Sequence, residues 1–271
     1  MTLNQKNIQD FLDCPRKFQL LSLDNLSWPA ALSDNLEKNE RATYLGNQFH
    51  MICYQYFSGI SPALLADTII DPDLKIMWDN FLPFGSRLLE HSVYPEQLIS
   101  FPFIDYRLVA KIDLIVKVSS DKYIILDWKT GVKKPSREIL KNRVQSYLYP
   151  FVFCQSGAEM VNVNSIKPDQ IEMHYFYPYC SEPHEIFPYS ERTHNEITSR
   201  LEKITSNLSN IFHENDEFPL TDDLHHCLYC VFRSFCDRGV TPGNIENYLP
   251  IEHETLTNEL FDIGQVSEVE F

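Results

Sequence analysis

Two apolar runs, "RLVAKIDLIVKV" and "KYIILDWK", separated by the polar residues "SSD", restrict this chain more than any other stretch. Both runs are rich in β-branched and aromatic residues, and a short polar connector between two such runs reads as a β-hairpin. The second run ends oddly. After Tyr123, Ile124, Ile125 and Leu126 come Asp127 and Lys129, where a core strand should continue with apolar side chains.

The hairpin brings a second acid to that end. With the turn at residues 119–121, opposed residues have numbers summing to about 240, so Asp113 falls opposite Asp127. Opposed side chains share a face, with Cβ atoms about 4.5–5.5 Å apart. Lys129 lies two residues beyond Asp127 and points the same way. Two carboxylates so close repel each other and are costly to bury unpaired. A divalent cation that prefers hard oxygen ligands, Mg²⁺ or Mn²⁺, relieves that cost. A surface cluster in which Lys129 balances the acids fits the same pattern, and a one-residue slip of register separates the three.

Around the hairpin, residues 4–22, 41–58 and 75–93 read as helices, and a β-rich region begins at Leu98–Phe103. Residues 137–155 read as a helix with Ser136 as its N-cap, "IEMHYFYPY" as a later strand, and 190–214 as a long amphipathic helix. Helices before and after an antiparallel-rich sheet give an α/β core with helical additions. At 44% hydrophobic and 13% aromatic residues, the chain can bury such a core. It has no apolar run of the roughly 18 residues a membrane span needs, and its first residues lack the apolar segment of a signal peptide. The expectation is a cytoplasmic protein with no membrane partner.

Charge is unevenly spread. The net charge is −15, a poor match to a freestanding nucleic-acid binder. Residues 251–271 form an acidic tail with six acids and no Lys or Arg, whereas Arg107 to Arg143 holds ten Lys/Arg against four Asp/Glu. That basic stretch surrounds the hairpin; a solvated face fits it as well.

Further candidates lie outside the hairpin. "GNQFH" places Gly46 and His50 on a predicted helix, where His50 is a packed residue or a metal ligand. "QSYLY" places Gln145 and Tyr149 on one helix face. "CLYCVFRSFC" holds Cys227, Cys230 and Cys236, and three thiols within ten residues of a cytosolic chain imply a metal. Cys14 in "FLDCPRKF" is a candidate fourth ligand, with His225 or His226 as alternatives if the metal is zinc. Cys53, Cys154 and Cys180 read as buried thiols.

Taken in order, "IQDFLDCPRKFQL", "GNQFH", "AKIDLIV", "LDWKTG", "QSYLY" and "CLYCVFRSFC" resemble the RecB-like nucleases of the PD-(D/E)XK superfamily. The subgroup most similar carries an iron–sulfur cluster, as in CRISPR-associated iron–sulfur exonucleases, exonuclease V and AddAB-type nuclease domains. The resemblance implies a restriction-endonuclease-like α/β core: a central mixed sheet flanked by helices, over about 41–190, within one domain spanning 1–250. N- and C-terminal helical additions, 4–22 and 221–240, would be joined by a [4Fe–4S] cluster on Cys14, Cys227, Cys230 and Cys236. His50, Asp113, Asp127 and the Trp128 carbonyl would hold Mg²⁺ or Mn²⁺. Lys129 would orient or activate the attacking water, with Gln145 and Tyr149 positioning the substrate strand or the lysine. The implied activity is a deoxyribonuclease, an exonuclease on single-stranded DNA. The alternative is a non-catalytic or partner-dependent subunit of a helicase–nuclease or CRISPR adaptation complex, since the chain has no phosphate-binding loop of its own.

Overall fold

The computed structural model describes residues 1–28, 35–180, 184–214 and 216–244. The acidic tail, 251–271, lies outside the described residues.

Asn4 begins the first helix with a reciprocal cap: its side chain accepts from the Asn7 N–H, while the Asn7 side chain accepts from the Asn4 N–H. The expected helix over 4–22 is broken. Helix α1 (Gln5–Asp13) stops at Cys14, which is extended, and α2 (Pro15–Phe18) restarts at a proline suited to a first helical turn and runs into a π-helical turn, Gln19–Leu23. Next come α3 (Leu36–Phe57), α4 (Pro62–Thr68) and α5 (Pro72–Leu88). The third expected helix ends five residues early, because β2 (Ser92–Phe103) already starts at Ser92.

Strands β3 (Tyr106–Ser119) and β4 (Lys122–Trp128) are the expected hairpin. Leu114–Leu126, Ile115–Ile125 and Val116–Ile124 pair in the predicted register. Ser136 caps α6 (Arg137–Asn142) as expected, but the helix over 137–155 is interrupted at Arg143, which is extended, before α7 (Val144–Ser156). Strands β5 (Ile171–Phe176) and β6 (His184–Pro188) and helices α8 (Glu191–Glu214) and α9 (Leu224–Leu228) complete the described chain. A two-residue strand, β1 (Thr2–Leu3), also joins the sheet.

The sheet runs β1-β3-β4-β5-β6, with β2 on the other edge of β3. Pairings β1–β3 and β4–β5 are parallel and the rest antiparallel. Apolar side chains from α1, α7 and α8 cover one face, and those from α3, α4 and α5 the other. This is an α/β fold with helices on both sides of a mixed sheet.

Alternation along β2 and β3 slips at one rung. Leu108, Ala110 and Ile112 face the α7 side; three residues on, Ile115 still does, while Leu114 and Val116 face α3 and α5. Pro95 pairs with Leu114 and Gln97 with Ile112, so the rung between them carries Glu96 opposite Asp113. Glu96 has φ +49°, a left-handed backbone uncommon outside Gly and Asn. Both strands change sides together, so register is kept while the pleat is broken.

Candidate active site

The slipped rung delivers Asp113 to α3. Asp113 Oδ1 lies 3.3 Å from His50 Nδ1, and Asp113 Oδ2 accepts the Trp128 N–H at 2.8 Å. His50 Nε2 lies 3.1 Å from the Trp128 carbonyl oxygen. Both ring nitrogens therefore face acceptors, and only an imidazolium can donate to both. Burial disfavours that charge, but Asp113, with Asp127 and Glu96 behind it, outweighs burial and holds His50 up at about 9. Burial likewise pushes the Asp113 carboxyl up. The His50 charge, the bonds from His50 and Trp128, and Lys129 bring it below its ordinary value. Gly46, one turn before His50, lets α3 approach this closely: a Cβ there would stand 3.0 Å from Thr130 Oγ1.

Glu96 completes the group and was missed by sequence reasoning. Ligand atoms of His50, Glu96 and Asp113 lie within 4.8 Å of one another, the one such cluster of His, Cys, Asp or Glu among the described residues. Burial and the Asp113 charge raise the Glu96 carboxyl above its ordinary value, against Lys111, whose Nζ is 2.8 Å away. Extending β2 back across "YPEQ" would have found it, since Glu96 is the neighbour of Asp113 on the edge away from β4.

Asp127 takes different partners from Asp113. It is in step with Tyr123 and Ile125, on the α7 side of the sheet. Lys129 shares that side, as the spacing predicts. Its Nζ lies 2.6 Å from Asp127 Oδ2, donates to Gln145 Oε1 at 2.8 Å and sits 5.4 Å from the centre of the Tyr175 ring. Gln145 Nε2 reaches Asp127 Oδ1 at 3.2 Å and the Tyr149 hydroxyl at 3.3 Å. Asp127, Lys129, Gln145 and Tyr149 are all buried. The break at Arg143 puts Gln145 in the first turn of α7, facing the end of β4. The expected side-by-side carboxylates are thus two adjoining groups. His50, Glu96, Asp113 and the Trp128 carbonyl form one, and Asp127, Lys129, Gln145 and Tyr149 the other, joined through the Trp128 backbone. Trp128 and Tyr147 are core side chains, 2% and 3% exposed.

The first group is a fitting cage for a hard divalent ion: one imidazole, carboxylates and a backbone carbonyl, with no sulfur.

The cysteines lie elsewhere. Cys14 caps the junction of α1 and α2, and Cys227, Cys230 and Cys236 follow α8. Burial raises the thiols of Cys227, Cys230 and Cys236, the last to about 11, and each also feels the charge of Cys14. Arg238, Lys17 and Arg16 oppose this at Cys227, Cys230 and Cys236 respectively. His226 turns to Asp13 and Asp223, at 3.9 and 3.6 Å. Protein contacts hold the first helices to the segment after α8: the Gln19 amide donates to the Asp216 carbonyl at 2.9 Å and accepts the Phe218 N–H at 2.8 Å. Burial raises the thiols of Cys53 and, to about 11, Cys154, as for packed cysteines.

Residues 2–237 match the family model described as the PD-(D/E)XK nuclease superfamily. No curated protein matches the chain. Among solved structures, the crystal structure of SSO0001 is 13% identical, with TM-score 0.41, over 87% of this chain and 85% of the other. An Eubacterium rectale structure named "Putative exonuclease" is 9% identical, with TM-score 0.45, over 77% and 82%. Among the described residues no helix is long and apolar enough to cross a membrane. On the strength of the family match, which spans most of its length, the chain belongs to the PD-(D/E)XK nuclease superfamily.

Proposed function

We propose that this protein is a Mg²⁺- or Mn²⁺-dependent deoxyribonuclease, acting as an exonuclease on single-stranded DNA. The observation that carries the reading is the junction of the two groups at Trp128: an oxygen-rich cage against a buried Asp–Lys–Gln cluster. His50, Glu96, Asp113 and the Trp128 carbonyl, with Asp127 beside them, would hold the ion. Bound there, it supplies positive charge against the phosphate and makes water more acidic.

The side chains then divide the work. Asp113 and the Trp128 carbonyl fix the orientation of His50. Asp127 and Gln145 hold the Lys129 ammonium in place, so that it stabilises charge developing on a phosphate oxygen and orients the attacking water without reorganising. Tyr149 holds Gln145. Cleavage of end-labelled single-stranded DNA by anaerobically purified protein, wild type beside Asp127→Asn, tests this. Metal-dependent cleavage lost in the variant supports it; equal cleavage by both refutes the assignment.

Cys14, Cys227, Cys230 and Cys236 would hold a structural [4Fe–4S] cluster, as the likeness of "FLDCPRKF" and "CLYCVFRSFC" to the iron–sulfur nucleases implies. Lys17, Arg16 and Arg238 supply charge to offset an anionic thiolate group. Cys230→Ser is expected to lower both iron content and melting temperature; unchanged iron would refute the ligand set.

The net charge of −15 favours one further reading, a nuclease subunit whose partner, a helicase or CRISPR adaptation protein, supplies much of the DNA affinity. Cleavage appearing only when such a partner is added would establish it.

A further inference from the structure

The segment from Cys230 to Val240 is tied around one side chain. Arg233 is 3% exposed. Its Nη1 donates to the Cys230 carbonyl at 2.8 Å and its Nε to the Val240 carbonyl at 3.3 Å. Its backbone closes the same loop: the Arg233 N–H donates to the Cys230 carbonyl at 3.3 Å, and the Arg238 N–H to the Arg233 carbonyl at 2.7 Å. Left-handed backbone at Asp237 and Gly239, φ +55° and +107°, turns the chain so that Val240 returns to the guanidinium.

Both of these guanidinium bonds go to neutral oxygens. Arginine is rarely buried without a partner of opposite charge, because an isolated buried charge gives up its hydration uncompensated. Buried Lys129 has Asp127 at 2.6 Å, and buried Asp10 has Lys17 at 2.6 Å. Among the described residues no carboxylate pairs with Arg233. The candidate anions are sulfurs. Cys230 lies three residues before Arg233 and Cys236 three after, and Cys14 and Cys227 act electrostatically on both. A set of four sulfurs suits a soft metal group, and thiols bind one only as thiolates. Four thiolates stay net negative after taking up Zn²⁺ or an oxidised [4Fe–4S] core.

We propose that Arg233 is the built-in counter-cation of the metal group on Cys14, Cys227, Cys230 and Cys236, and that loss of this group leaves an unpaired cation inside the closed loop. Arg233 is a positioning residue. Its bonds fix the backbone of the ligand loop, and its charge acts on the group through space. The neighbouring cations differ: Lys17 is held by Asp10, Arg16 reaches Glu217 at 3.4 Å, and Arg238 is exposed. This rests on the reading that the cysteines hold a metal group.

The test compares stability with and without that group. Protein purified anaerobically, and the same protein stripped by chelator under reducing conditions, are melted by circular dichroism. Arg233→Gln keeps an amide donor for a carbonyl and removes the charge. Its loaded form should melt below loaded wild type, while its stripped form melts no lower than stripped wild type. Arg233→Lys, which returns the charge, should recover the wild-type gap between loaded and stripped forms. If Arg233→Gln does not load, metal content decides: loading by Arg233→Lys supports the proposal, and equal failure of both overturns it. An equal fall of loaded and stripped forms in Arg233→Gln, no change in either, or Arg233→Lys melting like Arg233→Gln would also overturn it. Where the metal is iron, the midpoint potential gives a readout that a purely structural bond would not move. Net charge and hydrogen bonding set that potential, so Arg233→Gln should shift it to more negative values, and an unshifted potential rejects the counter-charge. Metal analysis of wild type separates the two readings. Zinc with the expected melting pattern rejects the cluster and upholds the counter-cation, and no bound metal rejects both.

Discussion

Lys129→Met isolates the buried ion pair. The side chains of Lys129 and Asp127 are each 4% exposed and 2.6 Å apart. Methionine keeps the length of lysine and removes its charge, leaving the Asp127 carboxylate in the core beside the neutral Gln145 Nε2, at 3.2 Å. Removing one partner of a buried pair costs about 3–5 kcal/mol, and the remaining hydrogen bond offsets about 1 kcal/mol. The expected loss is therefore about 2–4 kcal/mol. At about 2–4 °C per kcal/mol for a chain of this size, the melting temperature should fall by roughly 4–16 °C. Replacing both partners, as Asp127→Asn with Lys129→Met, removes the stranded charge and should recover most of that fall. The assay is thermal unfolding by circular dichroism of anaerobically purified protein in chelator. If Lys129→Met melts with wild type, or the double variant melts as low as the single, Asp127 is not the stranded charge assumed.

Other perturbations probe neighbouring contacts. Gly46→Ala meets Thr130 Oγ1 at 3.0 Å, a side-chain atom that can rotate, and should change stability by less than about 1 kcal/mol given the helix-propensity gain; Gly46→Val, bulkier and stiffer, should cost stability and cleavage, measured on the same samples. His50 is held up at about 9 in the ion-free protein, above about 6.5 when unfolded. Its stabilising contribution is then fully present below pH 6.5 and is lost as pH rises through 9. Because a ligating nitrogen must shed that proton, calorimetry in buffers of different ionisation enthalpy should show proton release on Mn²⁺ binding at pH 7. Gln19→Ala breaks both bonds to Asp216 and Phe218 and strands a buried N–H, costing about 2–3 kcal/mol; limited proteolysis should cut near residue 216 sooner than in wild type.

The hairpin register was legible because a short polar turn and strong apolar alternation on both strands leave few ways to pair them. The partners of Asp113 were not, because alternation presumes an unbroken pleat, and the rung that swings Asp113 to His50 depends on the left-handed backbone of Glu96, a residue type with no preference for it. The same rung hid Glu96: Pro95 next to it argues against a strand, so β2 was expected only from Leu98. The break at Arg143 was invisible because the apolar spacing of α6 and α7 reads continuously across it. Strand β1 is two residues and β6 five, both flanked by non-periodic sequence, too short for alternation to register. The Lys129–Gln145 contact was within reach because both ends lie in strongly patterned segments on the same side of the sheet.

The slipped rung also makes the hairpin a seam between two half-cores. Above it the ribbon's side chains in the main core lie toward α1 and α7, below it in both layers. The break in the pleat falls at two residues, Glu96 and Asp113, which an ion would clip together across the strands. Amide exchange at Glu96, Gln97 and residues 112–114 should slow on ion binding more than anywhere else in the sheet, so the candidate site would also act as the rivet of the fold.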